Sequence, residues 1–374
     1  MNYTQKRLTL GSLFDGSGGF PLAGKKVGII PLWASEIEPF PILVTRKNIP
    51  EMEHIGDIKS LNGGGVEPVD VITFGSPCQD LSTMGKRQGL NGEKSSLFFE
   101  AIRVIREMRE ATNGKNPRWI LWENVCGAFT SNRGEDFRVA LESILKIKDA
   151  GLCIPVPESG RWKRAGTIVA RGVSLAWRTL NARDFGLPQR RERIYLIADI
   201  EDECAAQILF DAEGVFADID KDEKGTERTG SGAWAAGFRA DESHKTFGIG
   251  YEIECAPCLC TSGTQSVLQK EGNDYIARRL TPDEYGKLQG FPEEWGRGLE
   301  KDVINDAELC AWRHIFDKHC EVYGIKRKTD KQIIKWLSEP HSDAAFYKMW
   351  GNGIALPCAI AVLKRVQERG TNGG

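Results

Sequence analysis

Over its first 200 residues the chain alternates between short apolar runs of strand type and amphipathic stretches of helix type, and this confines it to an α/β architecture. Strand-like runs lie at 8–14, 29–36, 69–75, 119–123, 174–181 and 193–198. Between them, residues 95–111 place Leu97, Phe98, Ile102, Ile105 and Met108 at helical spacing, and residues 135–148 do the same with Phe137, Leu141, Ile144 and Leu145. The pattern predicts a doubly wound, mostly parallel sheet. In such sheets ligands bind beyond the carboxyl ends of the strands, so chemistry is to be sought where strand-like runs end.

Beyond residue 200 the alternation dissolves. Residues 211–240 are acidic and then rich in Gly, Ala and Ser, which reads as a loop or linker. Residues 302–336 read as helical, with Ile304, Leu309, Trp312, Ile315 and Phe316 on one side, and 354–366 as an apolar helix. Trp312 and Phe316 fit a helix core better than a base-stacking platform. A length of 374 residues suits one main domain plus an elaboration. The expected division is 1–200 with 346–374 for the main domain and 201–345 for the smaller one. No apolar run reaches the ~20 residues of a membrane span, and no signal-peptide segment follows Arg7, so a cytosolic protein is expected. The 10 cysteines are too sparse for a disulfide scaffold. Net charge is −2, yet residues 161–193 hold nine basic side chains against Asp184 and Glu192. That stripe fits a phosphate-lined groove or, equally, a solvated charged face.

The stretch Gly75-Ser76-Pro77-Cys78-Gln79-Asp80-Leu81-Ser82 follows one strand-like run, and Trp122-Glu123-Asn124-Val125 ends another. A thiol and a carboxyl group at neighbouring strand ends point to covalent catalysis assisted by an acid. After the first strand, Asp15-Gly16-Ser17-Gly18-Gly19 is a turn in which backbone can approach a ligand closely. About 20 residues on, Glu36 ends the next strand, where an acid commonly grips ribose hydroxyls. Asp57 ends a third segment, and no phosphate-binding lysine of the Gly-Lys-Ser/Thr type is present. The arrangement suits an adenosine-containing cofactor.

These residues resemble the DNA (cytosine-5)-methyltransferase family of prokaryotic and phage type. The resemblance rests on six stretches in the family's order: Leu13-Phe14-Asp15-Gly16-Ser17-Gly18-Gly19-Phe20, Ser76-Pro77-Cys78-Gln79, Glu123-Asn124-Val125, Gln189-Arg190-Arg191-Glu192-Arg193, Arg279-Leu280-Thr281-Pro282-Asp283-Glu284 with Leu288-Gln289-Gly290-Phe291-Pro292, and Gly351-Asn352-Gly353-Ile354-Ala355. It implies a class I S-adenosylmethionine-dependent methyltransferase fold, Rossmann-like, with a smaller target-recognition domain. It further implies S-adenosylmethionine held by Phe14, Asp15, Gly16, Ser17, Gly18, Gly19, Glu36, Ile37, Asp57, Ile58, Pro77, Leu97, Asn352 and Gly353. Cys78 would be the nucleophile, Glu123 the acid at N3, Arg191 the partner of the cytosine oxygen, and Arg193 a support behind the site.

The implied chemistry explains the residue types. Cytosine C5 is a poor nucleophile until a thiolate adds at C6, and a carboxyl group at N3 relieves the developing charge. A stacked base cannot be reached, so the cytosine must be flipped out of the duplex. Double-stranded DNA is the implied partner of a monomeric enzyme. Gln79, Ser82, Lys86, Arg87 and Gln189 are expected near it, with Arg239, Gln265 and Gln269 reading sequence within 229–277. Ser12 stands where the family often has an acid, and Asp15 where it usually has a small residue. Pro257-Cys258-Leu259-Cys260-Thr261 occupies the place of the usual Thr-Leu pair, and the interval from Trp295 to Trp350 is long. Cys255, Cys258 and Cys260 lack a fourth zinc ligand at finger-like spacing, so buried thiols are the expectation and no metal is called for. The rivals are the tRNA-methylating branch of the same family, a catalytically silent DNA-binding relative and an amino-methylating enzyme. The last would need an Asp/Asn-Pro-Pro-aromatic motif in place of Ser76-Pro77-Cys78-Gln79.

Overall fold

The computed structural model describes residues 7–76, 97–210, 238–239, 256, 258–259, 265–271 and 274–372. Eight strands form the main sheet: β1 (Thr9–Leu13), β2 (Ile30–Ser35), β3 (Glu53–His54), β4 (Val71–Phe74), β5 (Trp119–Val125), β6 (Ala165–Ala170), β7 (Val173–Asn181) and β8 (Glu192–Asp199). Their order is β3-β2-β1-β4-β5-β8-β7-β6. The first five run parallel, and β8, β7 and β6 are antiparallel. The chain leaves β1 to one side for β2 and β3 and returns on the other side as β4. The crevice between the carboxyl ends of β1 and β4 is therefore the topological switch point.

Helices cover both faces. On one lie α1 (Gly19–Val27), α2 (Pro39–Asn48) and the helices of the second half of the chain; on the other lie α3 (Leu97–Ala111) and α4 (Glu135–Leu145). Alternate strand residues feed the two cores: Val71 and Leu121 enter one, Ile72, Ile120 and Trp122 the other. The second half supplies α5 (Ala205–Phe210), α6 (Pro282–Leu288), α7 (Asp306–Tyr323), α8 (Asp330–Ser338), α9 (Asp343–Asn352) and α10 (Leu356–Asn372). A small antiparallel sheet of β9 (Phe238–Arg239), β10 (Gln265–Glu271) and β11 (Asp274–Arg279) accompanies them, in the order β11-β10-β9.

Two expectations change. The single helix over 302–336 is two, α7 and α8, because Gly324 closes α7 in the left-handed conformation (φ 63°) and Thr329 opens α8 with a capping box. Trp312 and Phe316 are core, as expected: they are buried in the same cluster as Phe20 and Phe40, together with Ile333 and Leu337 of α8. The basic stripe over 161–193 is dispersed. Arg161 and Lys163 are exposed, Arg164 pairs with Glu192 and Arg171 with Asp149, and Arg191 is buried.

Candidate active site

The turn after β1 is built for close approach. Phe14 adopts φ 55°, Gly16 φ 56° and Gly18 φ 77°. For Phe14 this left-handed conformation costs on the order of 1–2 kcal/mol. Phe14 packs on the core beneath α3, whose first residue, Leu97, is half-buried. Gly18 caps α1 and donates from its N–H to the Asp15 carbonyl (3.1 Å). A β-carbon on Gly19 would lie 2.5 Å from Ile354, and one on Gly353 would lie 2.9 Å from Ser17 Oγ. The near-terminal Gly-Asn-Gly-Ile stretch is thus seated against the first turn, with Gly353 buried and Asn352 exposed at the end of α9.

Two carboxyl groups meet at this turn, Asp15 within it and Glu36 against it, and a third, Asp57, follows β3. Glu36 Oε2 accepts from Gly16 N–H (2.7 Å), and its Oε1 accepts from the N–H groups of Ile37 (2.7 Å) and Glu38 (2.9 Å). Burial raises its pKa against those three bonds. Asp15 is pushed up to about 8, chiefly by burial and further by Glu36, against the Ser12 hydrogen bond. Ser12 Oγ donates to Asp15 Oδ1 at 2.7 Å, so the acid displaced from position 12 sits three residues on, tied to the hydroxyl that replaces it. Asp15 Oδ2 is buried with no hydrogen-bond partner among the described residues. Asp57 Oδ1 caps the short helix Ile58–Ser60 through Lys59 N–H (3.0 Å), and Ile58 is buried. A buried carboxyl oxygen of Asp15 without a partner among the described residues, two further acids and a glycine turn open at Gly16 fit a ligand rich in hydroxyl and amine groups.

The second half of the site lies at β5 and β8. Antiparallel pairing sets Glu123 opposite Tyr195 and Val125 opposite Arg193. Arg193 Nε lies 3.5 Å from Glu123 Oε1. Burial raises the Glu123 pKa, while Arg193 and then Arg191 pull it down. A β-carbon at Gly75 would stand 3.4 Å from Glu123 Oε2, so the chain leaving β4 passes directly over this carboxyl group. Ser76 Oγ accepts from Trp122 Nε1 at 3.3 Å. Pro77, Cys78, Gln79, Ser82, Lys86 and Arg87 lie outside the described residues.

Arg191 is buried, donates from Nη2 to the Gly353 carbonyl, and sets Nη1 3.6 Å from Cys258 Sγ; Arg193 Nη2 lies 3.4 Å from the same sulfur. Cys258 was not among the expected site residues. In the sequence it falls within residues 257–261, the stretch in the place of the usual Thr-Leu pair, where a buried thiol is expected; it is half-buried. Cys255 and Cys260 lie outside the described residues. The backbone at 188–190 pairs with Ala256, through Arg190 N–H to Ala256 O (2.9 Å) and Ala256 N–H to Pro188 O (2.8 Å). Gln189, expected beside DNA, is fully buried, and its amide has no hydrogen-bond partner among the described residues. Glu123 Oε1, Asn124 Nδ2, Arg191 Nε and the Tyr195 hydroxyl are likewise without hydrogen-bond partners there. In register, Arg239 on β9 opposes Gln265 on β10, and Gln269 opposes Ile276 on β11.

A mostly parallel sheet with a glycine turn at its switch point and an acid closing the next strand is the architecture of folds that hold adenosine-containing cofactors, the class I S-adenosylmethionine-dependent methyltransferases among them. The chain belongs to the C-5 cytosine-specific DNA methylase family, whose profile matches residues 8–151 and 166–213. Family and fold together imply S-adenosylmethionine as methyl donor. Among relatives, the DNA N-6-adenine-methyltransferase of Escherichia phage P1 is 32% identical over 244 residues, 57% of this chain but only 31% of that protein. Type II methyltransferase M2.BsuMI of Bacillus subtilis (strain 168) is 27% identical over 335 residues, 88% of this chain and 75% of its own length. The crystal structure of the S. pombe Dnmt2 methyltransferase superposes with a TM-score of 0.56 at 18% identity, covering 96% of this chain and 98% of that one. No helix among the described residues is long and apolar enough to cross a membrane.

Proposed function

We propose that the protein transfers a methyl group to C5 of a flipped-out cytosine in a specific double-stranded DNA sequence, through a covalent adduct at Cys78. The observation that carries this reading is the buried Glu123 carboxyl group, 3.5 Å from the half-buried Arg193 and directly beneath the chain that leaves β4 toward Cys78. Bound S-adenosylmethionine would supply the methyl group as an electrophile. Phe14, Gly16–Gly19, Glu36, Ile37, Asp57, Ile58 and Gly353 would hold it, with Pro77, Leu97 and Asn352 at its margin.

The Cys78 thiolate adds to cytosine C6, and Glu123 gives its proton to N3 as the ring gains charge. A carboxyl group whose pKa is raised by burial is suited to that donation. Arg191 faces the exocyclic oxygen and Arg193 holds the Glu123 carboxyl group in place. After C5 is methylated, loss of its proton re-forms the double bond and expels the Cys78 sulfur. The polar atoms of Asn124, Arg191 and Tyr195 that make no hydrogen bond among the described residues, together with the Glu123 carboxyl group, suit a polar base drawn from the stack. Target reading falls to the 201–345 portion, where β9–β11 bring Arg239 and Gln265 opposite one another. Relatives that are Type II methyltransferases support a place in restriction–modification, and a cytoplasmic monomer acting on DNA fits that role.

DNA carrying 5-fluorocytosine at the target tests the adduct, because fluorine cannot leave as a cation. The wild-type protein should form a complex that survives denaturation, and Cys78→Ala should form none. Trapping by the alanine variant would sink the assignment.

A further inference from the structure

We propose that α7 forms a wall of the cofactor site, with Lys318 and Tyr323 as positioning residues for the adenosine end of S-adenosylmethionine. The proposal rests on the reading that Glu36 and Asp57 hold that cofactor, and it gives a role to the long interval after Trp295. Lys318 Nζ lies 3.6 Å from Asp57 Oδ2, on the oxygen that the Lys59 N–H leaves free. The Tyr323 hydroxyl donates to Glu38 Oε1 at 2.7 Å, and Lys348 Nζ donates to the same oxygen at 2.9 Å. Glu38 N–H in turn bonds Glu36, and Glu36 bonds Gly16 N–H. Both acids, Glu36 and Asp57, therefore have an α7 side chain behind them, directly at Asp57 and through Glu38 at Glu36.

The wall is anchored, not merely adjacent. Trp312 is buried and carries the Arg46 guanidinium of α2 over its ring at 5.3 Å. Phe316 and Trp312 pack on Trp336 of α8 at 5.1 and 5.7 Å between ring centroids. Trp336 meets His341 at 4.6 Å, and His341 meets Phe40 of α2 at 5.1 Å. Aromatic pairs at these separations hold α7 and α8 against α2, the helix that follows the Glu36 loop. Both ends of the Lys318 and Tyr323 contacts are thereby fixed, so the two side chains lower the freedom of the acids before ligand arrives.

Calorimetric titration of the full-length protein with S-adenosylhomocysteine tests this. Lys318→Met and Tyr323→Phe should each raise Kd about 2- to 10-fold, the range for loss of one hydrogen bond or ion contact. Lys318→Arg should restore wild-type affinity, and Lys331→Met on the outer side of α8 should not change it. In steady state the Met and Phe variants should raise KM for S-adenosylmethionine by the same factor, with kcat, KM for DNA and the methylated sequence unchanged. A merely structural role would lower the melting temperature of the ligand-free protein and move kcat as well. If wild type binds S-adenosylhomocysteine and both variants bind it equally well, the proposal is wrong and the cofactor reading stands. If wild type fails to bind it, the cofactor reading falls and takes the proposal with it.

Discussion

The Arg191 guanidinium donates to the backbone carbonyl of Gly353, 162 residues further along the chain. One side chain thus joins the start of β8 to the Gly353 turn that sits against Ser17, while another of its nitrogens faces Cys258; in the proposed function these are the cytosine and cofactor ends of the site. A lysine has the charge but not the planar fork, so it cannot serve both contacts at once. Arg191→Lys should lose at least about tenfold in kcat/KM, the scale of one charge-assisted hydrogen bond, with KM for S-adenosylmethionine up and kcat down. Steady-state kinetics at saturating DNA checks it. A variant impaired in neither constant would separate Arg191 from both ends.

Glu123 should act in its protonated form. Its pKa is raised by burial and held down by Arg193 and Arg191. Turnover should therefore fall as pH rises through a value above 4.5, and Arg193→Met should move that descending limb to higher pH. Glu123→Gln should abolish the limb and cost on the order of 10²–10⁴-fold in kcat, with S-adenosylhomocysteine binding near normal. A limb that stays in place in Arg193→Met, or an unimpaired Glu123→Gln, would mean that N3 is protonated from elsewhere.

Asp15 makes a stability prediction with a definite sign. Its carboxyl group holds a proton up to about 8 in the folded protein, against 3.8 for the ordinary group. Between those values the native state binds more protons than the unfolded chain, so stability falls as pH rises across that window. Asp15→Asn removes the penalty. Its unfolding free energy relative to wild type, measured by denaturant titration, should climb from pH 4 to pH 8 by at most about 1.4 kcal/mol per pH unit, and level off above. A difference independent of pH would place the Asp15 proton elsewhere.

Exchanging residues 229–277 for the matching segment of a relative with another target should move the methylated sequence and leave Cys78 trapping intact. Each good bidentate base contact in that segment is worth roughly 1–3 kcal/mol of discrimination. Most of the segment lies outside the described residues, but β9 and β10 pair within it. An active hybrid with its original target would refute the placement.

The sheet was legible wherever burial on both faces leaves a continuous apolar run, as in Val71–Phe74 and Trp119–Val125. It was illegible at β6, an edge strand of Ala, Gly, Thr, Ile and Val whose residues are exposed or half-buried. The helix Pro39–Asn48 is masked in the sequence because Pro39 and Pro41 read as breakers, yet both stand in its first turn, where no intrahelical N–H bond is lost. The acids of the site could be found because each closes a strand or follows one. The contacts of Cys258 with Arg191 and Arg193, and of α7 with Asp57 and Glu38, join residues 65 to 285 positions apart. No local spacing encodes such pairs; they exist only once the sheet and the Trp312–Trp336 cluster have set the elements side by side.

Bisulfite sequencing of DNA from cells expressing the protein tests the central claim most directly, since it reports both the methylated carbon and the surrounding sequence. The account predicts protected cytosines in one recurring sequence with wild type and none with Cys78→Ala. Absence of protection with well-folded wild type, or protection that persists in Cys78→Ala, would contradict it.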